Sequence, residues 1–128
     1  MNEKIRYEAF RRCGNGAKAI GFELGAEWML EETPGINDLA RTAFNTAIIR
    51  GKTEKDLPHL DAFFGILEEL KEFREASEIE KSEHLPQYTA SVEELADIAI
   101  SALTELYARV DNVEEVIVAK INYNKTRV

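Results

Sequence analysis

Apolar residues recur at intervals of three and four along nearly the whole chain, and this spacing limits its fold more than any other feature. Such a spacing puts apolar side chains on one side of an α-helix, whereas a half-buried strand would alternate apolar and polar residues. Only three prolines, Pro34, Pro58 and Pro86, interrupt the pattern, and each lies between two periodic segments. We therefore predict an all-α fold.

The four longest periodic segments predict a helical bundle. Their predicted bounds are about 37–50, 57–77, 92–110 and 113–127. The polar segment between the second and third helices is long enough to cross from one end of a bundle to the other. Shorter periodic segments precede the bundle, so we predict an N-terminal helical extension over residues 1–36 and a main domain over residues 37–128.

The composition fits one small acidic domain. The chain has 128 residues, of which 45% are hydrophobic and 31% charged, and its formal net charge is −8. A domain of this size builds one modest core, and a helix pair left half-exposed would gain from a second subunit. We therefore expect a homodimer or homotetramer. Nucleic acid is not expected as a partner, because binding to its phosphates requires a clustered basic surface.

The sequence lacks the usual signals for export and membrane insertion. The charged start, Met1 to Lys4, differs from the apolar run of a signal peptide. No apolar stretch approaches the roughly 18 residues of a membrane span. Cys13 has no second cysteine with which to form an internal disulfide. We expect a cytoplasmic protein with no membrane partner.

Carboxylates on the second predicted helix suggest a metal site. Glu68, Glu69 and Glu72 form an E-E-x-x-E motif on an arc of about 100° beside the apolar stripe of this helix. Oxygen ligands at such spacings suit a hard divalent cation. A solvated surface face is the simpler explanation for the three glutamates on their own. The apolar stripe, which we predict to face the core, consists of Leu60, Phe63, Phe64, Leu67 and Leu70.

The third predicted helix carries a second acidic pair, Glu94 and Asp97, on a narrow polar strip between apolar residues. Carboxylates in such surroundings are partly desolvated and need a cation or hydrogen bonds in compensation. A divalent metal supplies that compensation. Ser91 and Glu94 also fit the S-x-x-E capping box, in which Glu94 would accept from the backbone N–H of Ser91 and bind no metal. That alternative leaves Asp97 unexplained.

The last predicted helix has polar residues where its apolar stripe should continue. Lys120, Asn124 and Arg127 follow the stripe at i, i+4 and i+7, with Tyr123 between them. Two cations and an amide aligned towards the other helices would suit the phosphates of a ligand whose metal the carboxylates hold. A frayed C-terminus, with cations at the negative end of the helix dipole, explains the same residues without a ligand.

Together these motifs resemble those of the MazG-like nucleotide pyrophosphohydrolases, which are all-α NTP pyrophosphatases. The family pattern is E-E-x-x-E, a variable spacer and then E-x-x-D, and it is matched in order from Glu68 to Glu72 and from Glu94 to Asp97. The segment from residue 120 to residue 127 resembles the K-x-x-Y-N-x-x-R ending of one branch. The resemblance spans roughly residues 37–128, and residues 1–35 have no counterpart in it.

The resemblance implies a Mg²⁺-dependent hydrolase, with Mn²⁺ as an alternative metal, that cleaves an NTP or dNTP to the monophosphate and pyrophosphate. It also implies that one glutamate, for which we choose Glu69, acts as the catalytic base. The implied metal ligands are the acids of the two motifs: Glu68, Glu69, Glu72, Glu94 and Asp97. The residues implied to bind the phosphates of the substrate are Lys120, Tyr123, Asn124 and Arg127. Asn45 is the residue implied to recognise its nucleobase.

Two other classes of protein use comparable helices. A ferritin-like di-metal oxidase needs Glu-x-x-His pairs, but His59 and His84 are preceded three residues earlier by Asp56 and Lys81, which argues against this class. The second class is a non-catalytic helical interaction protein, for example a phage-associated one. Its acids would solvate the surface and its last helix would bind a partner. Metal-dependent turnover of a nucleotide distinguishes this class from the hydrolase.

Overall fold

The computed structural model describes residues 34–127, which form four α-helices. They are α1 (Ile36–Ile49), α2 (His59–Glu75), α3 (Ala90–Arg109) and α4 (Val113–Lys125). These bounds lie within two residues of the predicted ones, and the prediction of an all-α fold is confirmed. None of these helices is both long and apolar enough to cross a membrane. The predicted N-terminal extension up to residue 33, with Cys13, lies outside the described residues.

Side-chain caps fix where α3 and α4 begin. Oγ1 of Thr89 accepts a hydrogen bond from the backbone N–H of Val92 at 3.3 Å, and Oδ1 of Asn112 accepts from the N–H of Glu115 at 3.1 Å. Each cap satisfies a backbone donor that has no partner inside its helix. Oδ1 of Asn112 also accepts from Nδ2 of Asn37 at 3.0 Å. The first turn of α1 therefore lies beside the start of α4.

The central helix is α3, which packs against α1, α2 and α4. Phe44 of α1 is buried, and its ring centroid lies 5.4 Å from that of Tyr107 on α3. Ala40 and Val113 are fully buried beside this pair of helices. Because α1 begins beside Asn112, just past the end of α3, the two helices run antiparallel.

The face of α2 that turns towards α3 is not the one predicted. The predicted core stripe of five large apolar residues is between 37% and 59% exposed in the described chain, so that prediction is wrong. The less exposed side chains of α2 are instead Ala62, Ile66, Glu69 and Phe73, which share one side of the helix. Ala62 is small and so permits close packing against α3. As a result, Glu69 lies on the packed side of α2. The exposed residues, called the apolar stripe below, are Leu60, Phe63, Phe64, Leu67 and Leu70.

Residues 76–89 connect α2 to α3 and are tied to the first turn of α3 by backbone hydrogen bonds. The N–H of Ala90 donates to the carbonyl oxygen of Glu80, and the N–H of Ser91 donates to that of Ser77, both at 2.9 Å. Ser77 follows α2 by two residues, so the second bond joins the end of α2 to the start of α3. This connection sets the relative position of the two helices that carry the acidic motifs.

Candidate metal site

Three carboxylates meet where α2 packs against α3. Glu69, Glu94 and Asp97 each offer one carboxylate oxygen, and these three atoms lie within 4.8 Å of one another. All three residues are half-buried. We call them the acidic cluster.

The local sequence explains why these three side chains meet. Glu69 follows Ala62 and Ile66 on the side of α2 that turns towards α3. Glu94 and Asp97 are three residues apart on α3, so their side chains lie one above the other on the same side of that helix. The cluster therefore depends on the packed face of α2 and on an i, i+3 pair of α3.

Glu94 does not cap α3. The N-cap residue is Thr89, and Ser91 lies inside the first turn. The N–H of Ser91 donates to the carbonyl of Ser77 and is not available to the Glu94 carboxylate. The capping-box alternative is therefore wrong. The capping box does not form because the connection from α2 makes hydrogen bonds to residues 90 and 91. The helix therefore starts before Ser91, the N-cap position that the local motif indicates.

Two oxygens of the acidic cluster, Oε1 of Glu69 and Oε1 of Glu94, are buried and have no hydrogen-bond partner among residues 34–127. An unpaired buried polar atom costs about 1–3 kcal/mol, and more when the group is charged. A divalent cation offsets that cost, because it supplies the interaction that water would otherwise provide. A donor set of carboxylate oxygens, with no sulfur or imidazole, fits a hard cation such as Mg²⁺ or Mn²⁺.

Burial and repulsion by neighbouring carboxylates raise the pKa of every member of the cluster. Burial, followed by the charges of Glu72 and Asp97, raises the pKa of Glu69 from 4.5 to about 7. Burial is the main cause that raises the pKa of Glu94, and Asp97 adds to it. Burial also raises the pKa of Asp97, while the positive charge of Arg50 opposes that rise. Carboxylates that resist ionisation in this way gain most from a bound cation.

A cavity of about 900 Å³ lies between α1, α2 and α3 and includes two members of the cluster, Glu69 and Asp97, in its wall. Pockets for small organic ligands have volumes of about 300–1,000 Å³, so a nucleotide fits this size class. Part of the wall is apolar and comes from α1 and α3. The apolar residues in it include Leu39, Ala43, Ala47, Ile100 and Leu103.

The two remaining acids of the first motif, Glu68 and Glu72, also line the cavity. Both are exposed, and neither belongs to the group of three close oxygens. Glu72 nevertheless lies close enough to raise the pKa of each cluster member. The structure thus brings three of the five predicted ligands together and places the other two beside them.

The predicted phosphate-binding residues of α4 lie elsewhere in the described chain. Lys120, Tyr123, Asn124 and Arg127 are exposed, and none lines the cavity. The Lys120 ammonium lies 5.0 Å from the centroid of the Tyr123 ring, and Nη1 of Arg127 donates to Oδ1 of Asn124 at 3.5 Å. The prediction that these residues occupy core positions is wrong for the single chain, because the second half of α4 is exposed on all sides.

Asn45, the predicted base-recognition residue, is buried in α1. Its Nδ2 has no hydrogen-bond partner among the described residues. It is not part of the cavity wall. The cavity is instead lined by the neighbouring positions of the same helix, Thr42, Ala43 and Thr46.

Sequence reasoning assigned no role to Arg50 and Lys52, yet both line the cavity whose wall includes Glu69 and Asp97. They flank Gly51, whose φ of 71° turns the chain sharply at the end of α1. Basic residues after a helix are common on protein surfaces, so their sequence position carries no signal of its own. Only the packing of α1 against α3 brings them to the cluster.

No family model, curated protein or solved structure matches the chain. The resemblance to MazG-like enzymes therefore rests on the motif residues. The acidic cluster and its cavity are the structural features from which we infer a function.

Proposed function

We propose that the protein is a Mg²⁺-dependent nucleoside triphosphate pyrophosphohydrolase of the MazG-like type, which converts an NTP or dNTP and water to the monophosphate and pyrophosphate. The observation that carries the proposal is the acidic cluster: three carboxylate oxygens from two helices within 4.8 Å of one another, two of the residues in the wall of a nucleotide-sized cavity. Packing of α2 on α3 brings the two motifs that carry the resemblance into contact, as such an enzyme requires.

Glu69, Glu94 and Asp97 would hold the metal, because their oxygens are close enough to share one cation. Glu72 and Glu68 would hold a second cation or its water ligands at the exposed side of the cavity. The bound metal would supply charge neutralisation at the phosphates and a lower pKa for the attacking water. Mn²⁺ fits the same oxygen donors.

Glu69 is also the best placed general base. Burial is the main cause that raises its pKa to about 7 without metal, and a bound divalent cation would lower that pKa, so that the carboxylate is ionised and able to take a proton from water. The carboxylate lines the cavity in which the substrate would bind.

We further propose that the chain acts as a homodimer or homotetramer. The apolar stripe of α2 leaves five large side chains 37–59% exposed, and a contiguous apolar patch on a protein surface marks an interaction site. The cations of α4 do not reach the cavity of their own chain, so in this proposal they contact phosphates only across a subunit interface. The proposed location is the cytoplasm, where nucleotides and Mg²⁺ occur together.

The alternative is a non-catalytic helical interaction protein. The exposed apolar stripe favours it, since such a stripe on α2 would bind a partner helix equally well. The acidic cluster favours the hydrolase over the interaction protein, because an interaction protein has no need of unpaired buried carboxylate oxygens.

The test is to incubate the full chain with a panel of NTPs and dNTPs in Mg²⁺, Mn²⁺ or EDTA and to measure pyrophosphate and phosphate separately. We expect metal-dependent release of pyrophosphate and monophosphate. Asp97→Asn should lower kcat/KM by about 100-fold or more, because even the hydrogen-bond partners of metal ligands are worth about 10–100-fold. Asp111→Asn, which changes an exposed aspartate outside the cavity, is the control. Absence of turnover with every nucleotide would favour the interaction protein.

A further inference from the structure

The turn at the end of α1 presents two cations to the cavity. Arg50, Gly51 and Lys52 donate their backbone N–H groups to carbonyls of α1 at 3.0, 3.1 and 2.8 Å, so the turn is fixed to its helix. The positive φ of Gly51 lets the chain reverse there without strain. Thr53 follows the turn, is buried, and donates its hydroxyl to Oε2 of Glu105 on α3 at 3.1 Å. The turn is thus anchored on both sides.

The Arg50 end of this turn lies near Asp97 of the acidic cluster. Since α1 and α3 run antiparallel, the end of α1 lies near the first half of α3, which carries Asp97. The effect of Arg50 on the pKa of Asp97 shows the same proximity. Arg50, Lys52 and Asp97 all line one cavity.

Neither cation has an ion-pair or hydrogen-bond partner in the part of the chain that the structure describes, although the charge of Arg50 acts on Asp97. Arg50 and Lys52 form no ion pair within 4.0 Å and no side-chain hydrogen bond there. The other arginines of the helices differ, since Arg41 pairs with Asp38 and Arg109 with Glu105, both at 2.6 Å. Two unpaired cations that project into a cavity with acids are available to an anion that enters it.

We propose that Arg50 and Lys52 bind the phosphate chain of the substrate, with Arg50 on the phosphates nearest the metal. This inference rests on the proposed function. Seven carboxylates line the cavity or belong to the acidic cluster: Asp61, Glu68, Glu69, Glu72, Glu94, Asp97 and Glu105. Even two divalent ions would leave their summed charge negative, which repels a triphosphate. Arg50 and Lys52 offset two of these negative charges. An Arg guanidinium donates to two phosphate oxygens at once, and a Lys ammonium acts as a point charge.

A purely structural role would have a different effect. Cations at the C-terminal end of a helix stabilise it through the helix dipole, so neutralising them would lower the thermal stability and leave phosphate affinity unchanged. The experiment therefore measures the melting temperature and the affinity for phosphates separately.

We would compare Arg50→Gln, Lys52→Gln and the double variant with wild type in kcat, KM and the inhibition constant of inorganic tripolyphosphate, at saturating Mg²⁺. Loss of one charged hydrogen-bond partner weakens binding about tenfold or more, so KM and the tripolyphosphate constant should each rise about tenfold per cation. Arg50→Lys should restore part of the loss. Arg74→Gln and Lys71→Gln are controls, because both residues are exposed on α2 outside the cavity.

Direct titration of tripolyphosphate in Mg²⁺ by calorimetry keeps the inference separate from the proposed function. If wild type hydrolyses no nucleotide but binds tripolyphosphate, and the double variant does not, the proposed function fails while the phosphate site stands. If wild type is active and the folded double variant keeps its KM and its tripolyphosphate affinity, the phosphate site is overturned. Failure of wild type to bind tripolyphosphate overturns it as well.

Discussion

Replacing Glu69 by Gln should stabilise the metal-free protein above neutral pH. The folded state raises the pKa of Glu69 from 4.5 to about 7, so between these values the folded protein holds a proton that the unfolded chain has released. Stability then falls as pH rises through this range, because the unfolded state binds fewer protons. The penalty is absent below about pH 4.5 and complete above about pH 7. Gln carries no charge, so the variant escapes it.

The pKa change sets the size of the effect. At about 1.4 kcal/mol per pH unit, the interval from 4.5 to about 7 corresponds to an upper limit of about 3–4 kcal/mol. Glu69 is half-buried, and solvent screening reduces that value, so we expect about 1–2 kcal/mol. Loss of the Glu69 charge also relieves repulsion at Glu94 and Asp97. The measured change in unfolding free energy is therefore a property of the cluster rather than of one residue.

The assay is urea unfolding in EDTA, followed by circular dichroism at about pH 4 and about pH 8. The difference in unfolding free energy between Glu69→Gln and wild type should rise by about 1–2 kcal/mol between these pH values. Glu68→Gln, which changes the neighbouring exposed carboxylate outside the three-oxygen group, is the matched control. Equal differences at both pH values for Glu69→Gln would refute the claim that the cluster resists ionisation.

Three further predictions test the metal, the interface and the helix cap. Mg²⁺ should raise the melting temperature of wild type at about pH 8, and EDTA should reverse this rise. The melting temperature of Asp97→Asn should not change with Mg²⁺. A wild-type melting temperature that changes with neither Mg²⁺ nor Mn²⁺ contradicts the metal site. Light scattering should show the proposed oligomer for wild type and a folded monomer for Phe63→Glu in the apolar stripe, whereas Ile79→Glu in the exposed connection should stay oligomeric. A monomeric wild type contradicts the proposed interface. Thr89→Ala should cost about 1 kcal/mol in thermal unfolding and Ser91→Ala less, because Thr89 is the cap; the opposite order would restore the capping box.

Helix positions were predictable because they depend on local periodicity, whereas burial depends on which element lies opposite. The most apolar side of α2 was expected to face the core, yet α3 packs on the side with Ala62, Ile66 and Glu69. The sequence identifies an apolar face of a helix, but it does not say whether the surface that covers this face comes from the same chain. Small side chains such as Ala62 give the close approach that decides the packing of this pair.

The capping box at Ser91 failed for a related reason. The S-x-x-E pattern is local, but the hydrogen bonds from Ser91 to Ser77 and from Ala90 to Glu80 come from the other side of the connection. Because of these hydrogen bonds, residues 90 and 91 belong to the first turn of α3, and Thr89 is its N-cap residue. Asp97 and Glu94 were predictable as a pair, since an i, i+3 spacing holds wherever the helix begins. The place of Arg50 was not predictable, because it follows from the antiparallel packing of α1.

In the proposed oligomer, burial of the exposed side of α2 would offset the cost of the carboxylate on its packed side. Residues 62, 66, 69 and 73 turn inward and bring a carboxylate into the packed side, which weakens the contact with α3 because a charged group there is desolvated. The apolar stripe on the other side is 37–59% exposed, and in the proposed oligomer its burial by a partner subunit would offset part of this cost. In the proposed oligomer, α2 would hold the acidic cluster on one side and the interface on the other, which would couple metal binding to assembly. The Phe63→Glu variant should therefore lose metal affinity together with its oligomeric state, although no residue of the cluster is changed.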